Sequence, residues 1–236
     1  NRVLLVIDGV RMNNAIYRSG HLQNSITINP NSLERTEVIY GPSSVGYGSD
    51  ALGGVVHFYT KTPKINNTKK WITGGISSYN SRLNNIVQNL DLEFSSNKWA
   101  SYTNFSFSKF GDIVMGNNRK HGFDDWGLDN HYLYPGEYND SIIINDNPEI
   151  QQNTSYQQYD LMQKFNFLIS DSSNIIINFQ HSNSSNINRF DKLNEINNGD
   201  YKYSEWYYGP QKRTLISSLI NVSKKKWFSD KSKFLV

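Results

Sequence analysis

Three short stretches of this 236-residue chain carry residue types at spacings that could do chemistry. Gly46-x-Gly48-x-x-Ala51 has the spacing of a dinucleotide-binding turn, whose glycines let backbone N–H groups approach a pyrophosphate at the start of a long helix. Here Gly53-Gly54 follow instead, and Val55, Val56, Phe58 and Tyr59 resume a strand where that helix is required. Gly41 to Gly46 has phosphate-loop spacing, but Tyr47 stands where the lysine must be. Ser43 and Ser44 lack the Gly-x-Ser-x-Gly elbow, and the histidines at 21, 57, 121, 131 and 181 show no ligand spacing. The absence of cysteine removes thiolate ligands and cysteine nucleophiles. The chain therefore reads as a non-enzyme, with no catalytic residue, no metal site and no cofactor expected.

The elements around these stretches are β in character. Tyr, Phe and Trp are abundant, yet mean hydropathy is −0.62 because Asn, Ser and Asp fill the spaces between them. That mixture suits a β protein with one apolar and one wet face. Val3 to Ile7 is too short to cross a bilayer as a helix, and nowhere do about 18 apolar residues run together. A helical membrane protein is thereby excluded, whereas a membrane barrel, whose strands alternate, is not. The net charge of +3 is scattered, with Lys224 to Lys226 the tightest basic cluster, so no nucleic-acid partner is expected.

Glycine-rich turns and short β runs fill the first sixty residues, Pro63 to Lys70 reads as a linker, and long alternating strands begin at Trp71. Leu90, Leu92 and Phe94 share one face, opposite Asn89, Asp91 and Glu93. The same period of two places Tyr159, Leu161, Phe165, Phe167 and Ile169 opposite Lys164 and Asn166, and Ile175, Ile177 and Phe179 opposite Asn178 and Gln180. Less regular strands run through Trp71 to Tyr79, Trp99 to Lys109 and Thr214 to Phe228. Ser95 to Asn97 and Asp171 to Asn174 are tight turns, whereas Phe110 to Thr154 and Asn188 to Lys212 are long, polar loops. Strands long enough to span a bilayer, joined by short turns at one rim and long loops at the other, fit an outer-membrane barrel better than a soluble β-sandwich. About six strands and the start of a seventh are present, too few to close a plugged transporter barrel of about 22. The chain begins at Asn1 without an export signal and stops inside Phe234, Leu235, Val236, and so reads as a piece of a longer one.

Five landmarks stand in order across the first sixty residues: Asp8-Gly9-Val10-Arg11, Glu34-Arg35-x-Glu37-Val38, Gly41-Pro42-x-Ser44, Tyr47-Gly48-Ser49 and Ala51-x-Gly53-Gly54-Val55. On these the segment resembles the second half of the plug domain of TonB-dependent receptors. Gly111-Asp112 with Met115-Gly116, Asn188 to Asp191 and Glu205 to Gln211 extend the likeness to receptors of Bacteroidota-type bacteria. The expected fold is a mixed α+β plug remnant over 1–62, a linker over 63–70, and over 71–236 an all-β, partial transmembrane antiparallel barrel. Within the plug, Val3 to Ile7 reads as a buried central strand ending in an Asp8-Gly9 turn. Asn29-Pro30 reads as the start of a helix carrying Leu33, Glu34 and Glu37, which Gly41-Pro42 stops.

The resemblance implies a mechanism. A scarce nutrient binds at the outer face, the plug blocks the lumen, and the inner-membrane TonB complex pulls on a plug segment that this stretch does not contain. Implied partners are that complex, a small-molecule nutrient or metal chelate, and outer-membrane lipid. Ligand contacts are expected from Met12 to His21, where Asn13, Asn14, Tyr17 and Arg18 offer donors, acceptors, a ring and a positive charge. Glu34, Arg35 and Glu37 are expected on a solvated helix face or against the polar barrel wall. Loop aromatics such as Trp126, Tyr132, Tyr134 and Trp206 to Tyr208 could stack on a ligand, or serve as an interface girdle. A receptor for a siderophore, haem or cobalamin is the first functional reading. A glycan or peptide importer working with a surface lipoprotein is the alternative, and a soluble β-rich binding domain the third.

Overall fold

The protein is represented by a computed structural model that describes residues 3–12, 25–48, 51, 53–118, 122–134, 136, 140–222 and 232–236. Its first unit is a four-stranded sheet of β1 (Val3–Ile7), β2 (Val10–Arg11), β3 (Leu33–Ile39) and β4 (Gly54–Thr60), in the order β2-β1-β4-β3. β1 is apolar on both faces because it is interior: β2 pairs antiparallel on one side and β4 parallel on the other, and Leu4, Val6 and Ile7 are fully buried. Asp8 and Gly9 both take positive φ, 49° and 90°, the conformation a two-residue hairpin needs. Leu4, Val6, Ala51 and Val55 form the core on one face of the sheet. On the other face, Ile7 and Ile28 close over Leu215, a residue of the second unit.

The helix expected from Asn29-Pro30 is a correction. Only one 3-10 turn forms, Pro30–Ser32, with the Asn29 side chain accepting from the Asn31 N–H, and the chain then enters β3. The Asn29 cap forms as its chemistry requires, but β-branched Thr36, Val38 and Ile39 hold Leu33–Ile39 extended, and pairing with β4 satisfies its backbone. Gly41–Tyr47, where a helix stop was expected, is itself a 3-10 helix.

The second unit is a seven-stranded antiparallel sheet in chain order: β5 (Lys70–Asn80), β6 (Asn85–Ser95), β7 (Trp99–Phe110), β8 (Tyr156–Ser170), β9 (Ser173–Ser184), β10 (Lys212–Val222) and β11 (Ser232–Leu235). Each pairs with its chain neighbour, and β5 and β11 are the open edges. The expected alternation holds throughout. Asn89, Asp91, Lys164, Asn166, Asn178 and Gln180 turn to the concave side, where the first sheet sits. Leu90, Leu161, Phe167 and Ile177 are exposed on the convex side.

Convex aromatics gather at the short-turn rim, where Trp71, Phe94 and Trp99 form a chain of rings, 4.7 Å between successive centroids. Phe110 and Tyr156, cross-strand partners beside the long loops, stack on the face of Ser108 and Gln158, the concave one. Midway along the convex face, Gln163 is satisfied by Ser101 and by Thr103, whose hydroxyl donates to it at 2.6 Å. The long loops carry structure of their own, including the ribbons His131–Tyr134 with Ser141–Ile144 and Ile187–Asn188 with Tyr207–Tyr208.

Candidate functional site

The polar concave wall of a barrel and the polar turns of a plug must satisfy each other wherever they exclude water. Their main junction is Asp8. Its positive-φ turn holds the carboxylate against β4, where Oδ1 accepts from the Thr60 N–H at 2.9 Å and Oδ2 from the Thr60 hydroxyl at 2.6 Å. From the wall, Lys164 Nζ lies 3.0 Å from Oδ2, while Asn178 and Gln180 donate to the same oxygen at 3.3 and 3.4 Å. Lys164 also donates to the Thr60 carbonyl and the Thr62 hydroxyl, both at 3.2 Å, so its three N–H groups have three acceptors. The ammonium is nearly sealed, its side chain 3% exposed against 16% for Asp8. An ion pair this buried stabilises little relative to an apolar pair, but removing one partner strands the other.

Further wall residues hold the plug backbone along its length. Arg213 donates to the Thr27 carbonyl at 2.9 Å and to Gln180, Gln158 donates to the Ile26 carbonyl, and Asn166 donates to the Pro63 carbonyl. Asn29 donates to Asn104 at 2.8 Å. Lys61 pairs with Asp91 at 3.6 Å, and Asp91 also accepts from the Tyr102 hydroxyl. Inside the plug, buried His57 accepts the Gly9 N–H on Nε2 at 3.1 Å, while its Nδ1 lies 3.4 Å from the Tyr47 hydroxyl. A proton on Nδ1 satisfies both contacts. Burial lowers the pKa of His57 against the raising influence of Asp8 and Glu37.

The other landmark residues are placed as follows. Glu34, Arg35 and Glu37 lie on β3, not on a helix. Arg35 pairs with Glu37 at 2.8 Å and covers the Tyr59 ring at 3.7 Å, while Glu34 and Arg35 border a cavity of about 480 Å³ that Lys164 also lines. Gly41 and Pro42 open the 3-10 helix, Gly48 follows it, and Gly53 turns into β4. Gly54 has φ +124°, and a Cβ there would come within 2.9 Å of the Ile39 carbonyl oxygen, so the close approach of β3 requires glycine. Asn13, Asn14, Tyr17 and Arg18 lie outside the described residues.

A second site forms between the two long loops, a cavity of about 290 Å³. Tyr132, Phe190, Trp206 and Tyr207 line it with rings, whereas Trp126 and Tyr134 do not. Trp206 is braced by Tyr203, with centroids 4.5 Å apart. Asp129 is 2% exposed at the cavity wall. Its Oδ2 accepts the Gln152 N–H at 2.8 Å, and its Oδ1 is buried with no hydrogen-bond partner. Burial raises its pKa, opposed by the Gln152 N–H and by the Asn194 amide, which lies near the carboxyl but outside hydrogen-bond geometry, so that Oδ1 stays unpartnered. Next to Asn194 in the chain, Glu195 is held at a pKa of about 2 by Lys192 and Lys202, at 2.8 and 2.5 Å. Sequence alone could not bring Asp129 and Trp206, 77 residues apart, to one cavity, because small pairings inside the loops decide it.

The model of the TonB-dependent receptor plug domain matches residues 1–55. A hemin receptor of Yersinia enterocolitica is 43% identical over 58 residues, 25% of this chain and 8% of that protein. The vitamin B12 transporter BtuB of Vibrio vulnificus is 45% identical over 60 residues, 25% of this chain and 9% of that protein. Among solved structures, the ferric enterobactin receptor PfeA of Pseudomonas aeruginosa superposes with a TM-score of 0.62 at 16% identity, over 98% of this chain and 32% of that one. The siderophore receptor PirA of Acinetobacter baumannii gives 0.63 at 16% identity, over 99% and 31%. The chain thus spans about a third of the length of these receptors, and the likeness extends across both the plug and the wall.

Proposed function

We propose that this chain, which belongs to the TonB-dependent receptors, works within an outer-membrane importer that moves a scarce nutrient past its plug at the expense of the proton gradient. The observation that carries the proposal is the junction at Asp8: there the plug is clamped to the wall by an ion pair at 3.0 Å and by hydrogen bonds at 3.3 and 3.4 Å. Such contacts block passage at rest and can be exchanged for water when the plug is pulled. Transport of this kind asks for no nucleotide site and no catalytic group in the chain. Plug over 1–62, linker over 63–70 and wall over 71–236 is the division of labour we adopt. The long loops face the cell exterior and the short turns the periplasm, where the TonB complex acts. Relatives named for hemin and for vitamin B12, and solved receptors named for siderophores, support a chelate-sized cargo.

Capture is assigned to Met12 to His21, with Asn13, Asn14, Tyr17 and Arg18 as contacts, because Ile26 to Asn29, which follow it, sit high on the wall beside Gln158 and Arg213. The test is the full-length receptor in cells with and without TonB, assayed for uptake of a ferric siderophore, hemin, cyanocobalamin and a labelled oligosaccharide. Uptake of at least one only with TonB is expected, and TonB-independent passage or none refutes the proposal. In Tyr17→Ala and Arg18→Ala at equal surface abundance, loss of one hydrogen bond to a charged partner weakens binding by roughly 1.5–3 kcal/mol, about ten- to a hundredfold. Unchanged binding removes the loop from the site.

A further inference from the structure

The cavity between the long loops has a composition that selects among ligands. Four of its lining residues present rings and five present side-chain amides, among them Asn186 and Asn194. Its charged residues are Asp129 and Glu205, and no lysine or arginine lines it among the described residues. A polyanionic chelate would meet two carboxylates and no cation there. A quaternary ammonium could use the carboxylates and the ring faces, but it has no N–H or O–H to give the amide oxygens, and Gln152, Asn153 and Asn188 already donate their own N–H groups to Asn145, Leu133 and Asn153. A hydroxyl both donates and accepts, so a ring bearing several hydroxyls can satisfy amides and carboxylates together.

Size narrows the class. At about 290 Å³ the cavity stands at the small end of the roughly 300–1,000 Å³ typical of ligand pockets, enough for one saturated ring and too small for a macrocycle. The buried Oδ1 of Asp129 is the second, independent observation. A carboxylate oxygen sealed from water with no donor costs free energy unless a ligand supplies one. Asp129 is fixed for that role, because Oδ2 is occupied by the Gln152 N–H and its own N–H by the Pro148 carbonyl at 2.8 Å.

We propose that this inter-loop cavity is a saccharide-binding site, in which one sugar ring packs on Trp206 and Tyr207 and donates a hydroxyl hydrogen to Oδ1 of Asp129. The assignment deepens the importer reading, on which it rests for its biological meaning, by naming the class of group first met outside the plug. A carbohydrate cargo, or a glycan that concentrates cargo at the mouth, satisfies it equally, and uptake separates the two.

The experiment uses the full-length receptor in detergent, with methyl glycosides of glucose, galactose, mannose and N-acetylglucosamine as probes and benzyltrimethylammonium as the cationic comparator. Saturation-transfer NMR reads binding without any need for TonB. At least one glycoside is expected to bind, and Asp129→Asn and Trp206→Ala are each expected to weaken it about tenfold or more. Asp129→Asn keeps an acceptor for the Gln152 N–H, and Trp206→Ala tests the site separately if that variant misfolds. No binding by any glycoside at millimolar concentration, binding indifferent to both substitutions, or binding of the ammonium probe alone each overturns the proposal. Loss of TonB-dependent uptake with glycoside binding intact refutes the importer reading and leaves the site standing.

Discussion

Replacing Lys164 by Met removes the ammonium that meets Asp8 at 3.0 Å while keeping an unbranched side chain of similar reach. Breaking one partner of a buried pair typically costs about 3–5 kcal/mol. Asp8 retains four donors after the change, two from Thr60 and one each from Asn178 and Gln180, so Lys164→Met belongs near 3 kcal/mol on that scale. Asp8→Asn is the harsher change. It leaves an ammonium 3% exposed with neutral acceptors and no counter-charge, and belongs toward 5 kcal/mol. Amide hydrogen exchange of Val3–Ile7 in the full-length receptor reads the plug directly, because β1 lies in the buried sheet and leads straight into Asp8. About 3 kcal/mol corresponds to exchange faster by roughly two orders of magnitude. The double variant should be less damaged than Asp8→Asn alone, since no charge is then stranded. Exchange in Lys164→Met within threefold of the parent, or additive losses in the double variant, would refute the clamp.

Three further outcomes follow from the same structure. Because burial lowers the His57 pKa, the neutral ring is the folded form; its contribution is whole above the unfolded value near 6.5 and is lost as pH falls through the depressed folded value. The urea midpoint of plug proteolysis should therefore drop between pH 7.5 and pH 5, and should stay level in His57→Gln. Gln163→Lys places a cation at mid-height on the convex face and should cost the barrel roughly 2–4 kcal/mol in urea unfolding from vesicles, whereas Gln163→Leu should be near neutral; a tolerated lysine means that face does not meet lipid. Protease added to intact cells should cut first within 110–154 or 188–212, and cleavage confined to 95–97 or 171–174 would invert the topology.

How much of this was legible depended on the range of the interaction. Alternation is a local signal, so the faces of β6, β8 and β9 followed from Leu90 against Asp91, Phe165 against Lys164 and Ile177 against Asn178, and a one-residue slip would have sent every charge to lipid. The helix read at Asn29 failed because the capping signal is local and real, while the choice between helix and strand over Leu33–Ile39 was made by β4, twenty residues on. Gly54 reads locally as a turn glycine, but its need for a bare backbone comes from the Ile39 carbonyl across that same pairing. Asp8 and Lys164 were each placed correctly, one in a turn and one on a wet face, and their meeting was still invisible. Two facts must combine to produce it: the parallel register of β1 on β4, which aims Asp8 at Thr60, and the seating of that sheet at the height of Lys164 on β8. Neither is written in a single segment. A carboxylate accepting from both Thr60 donors is held in one orientation before the wall arrives, so the wall gains an oriented acceptor without ordering it. On the proposed importer reading, the contact can therefore re-form each time the plug returns.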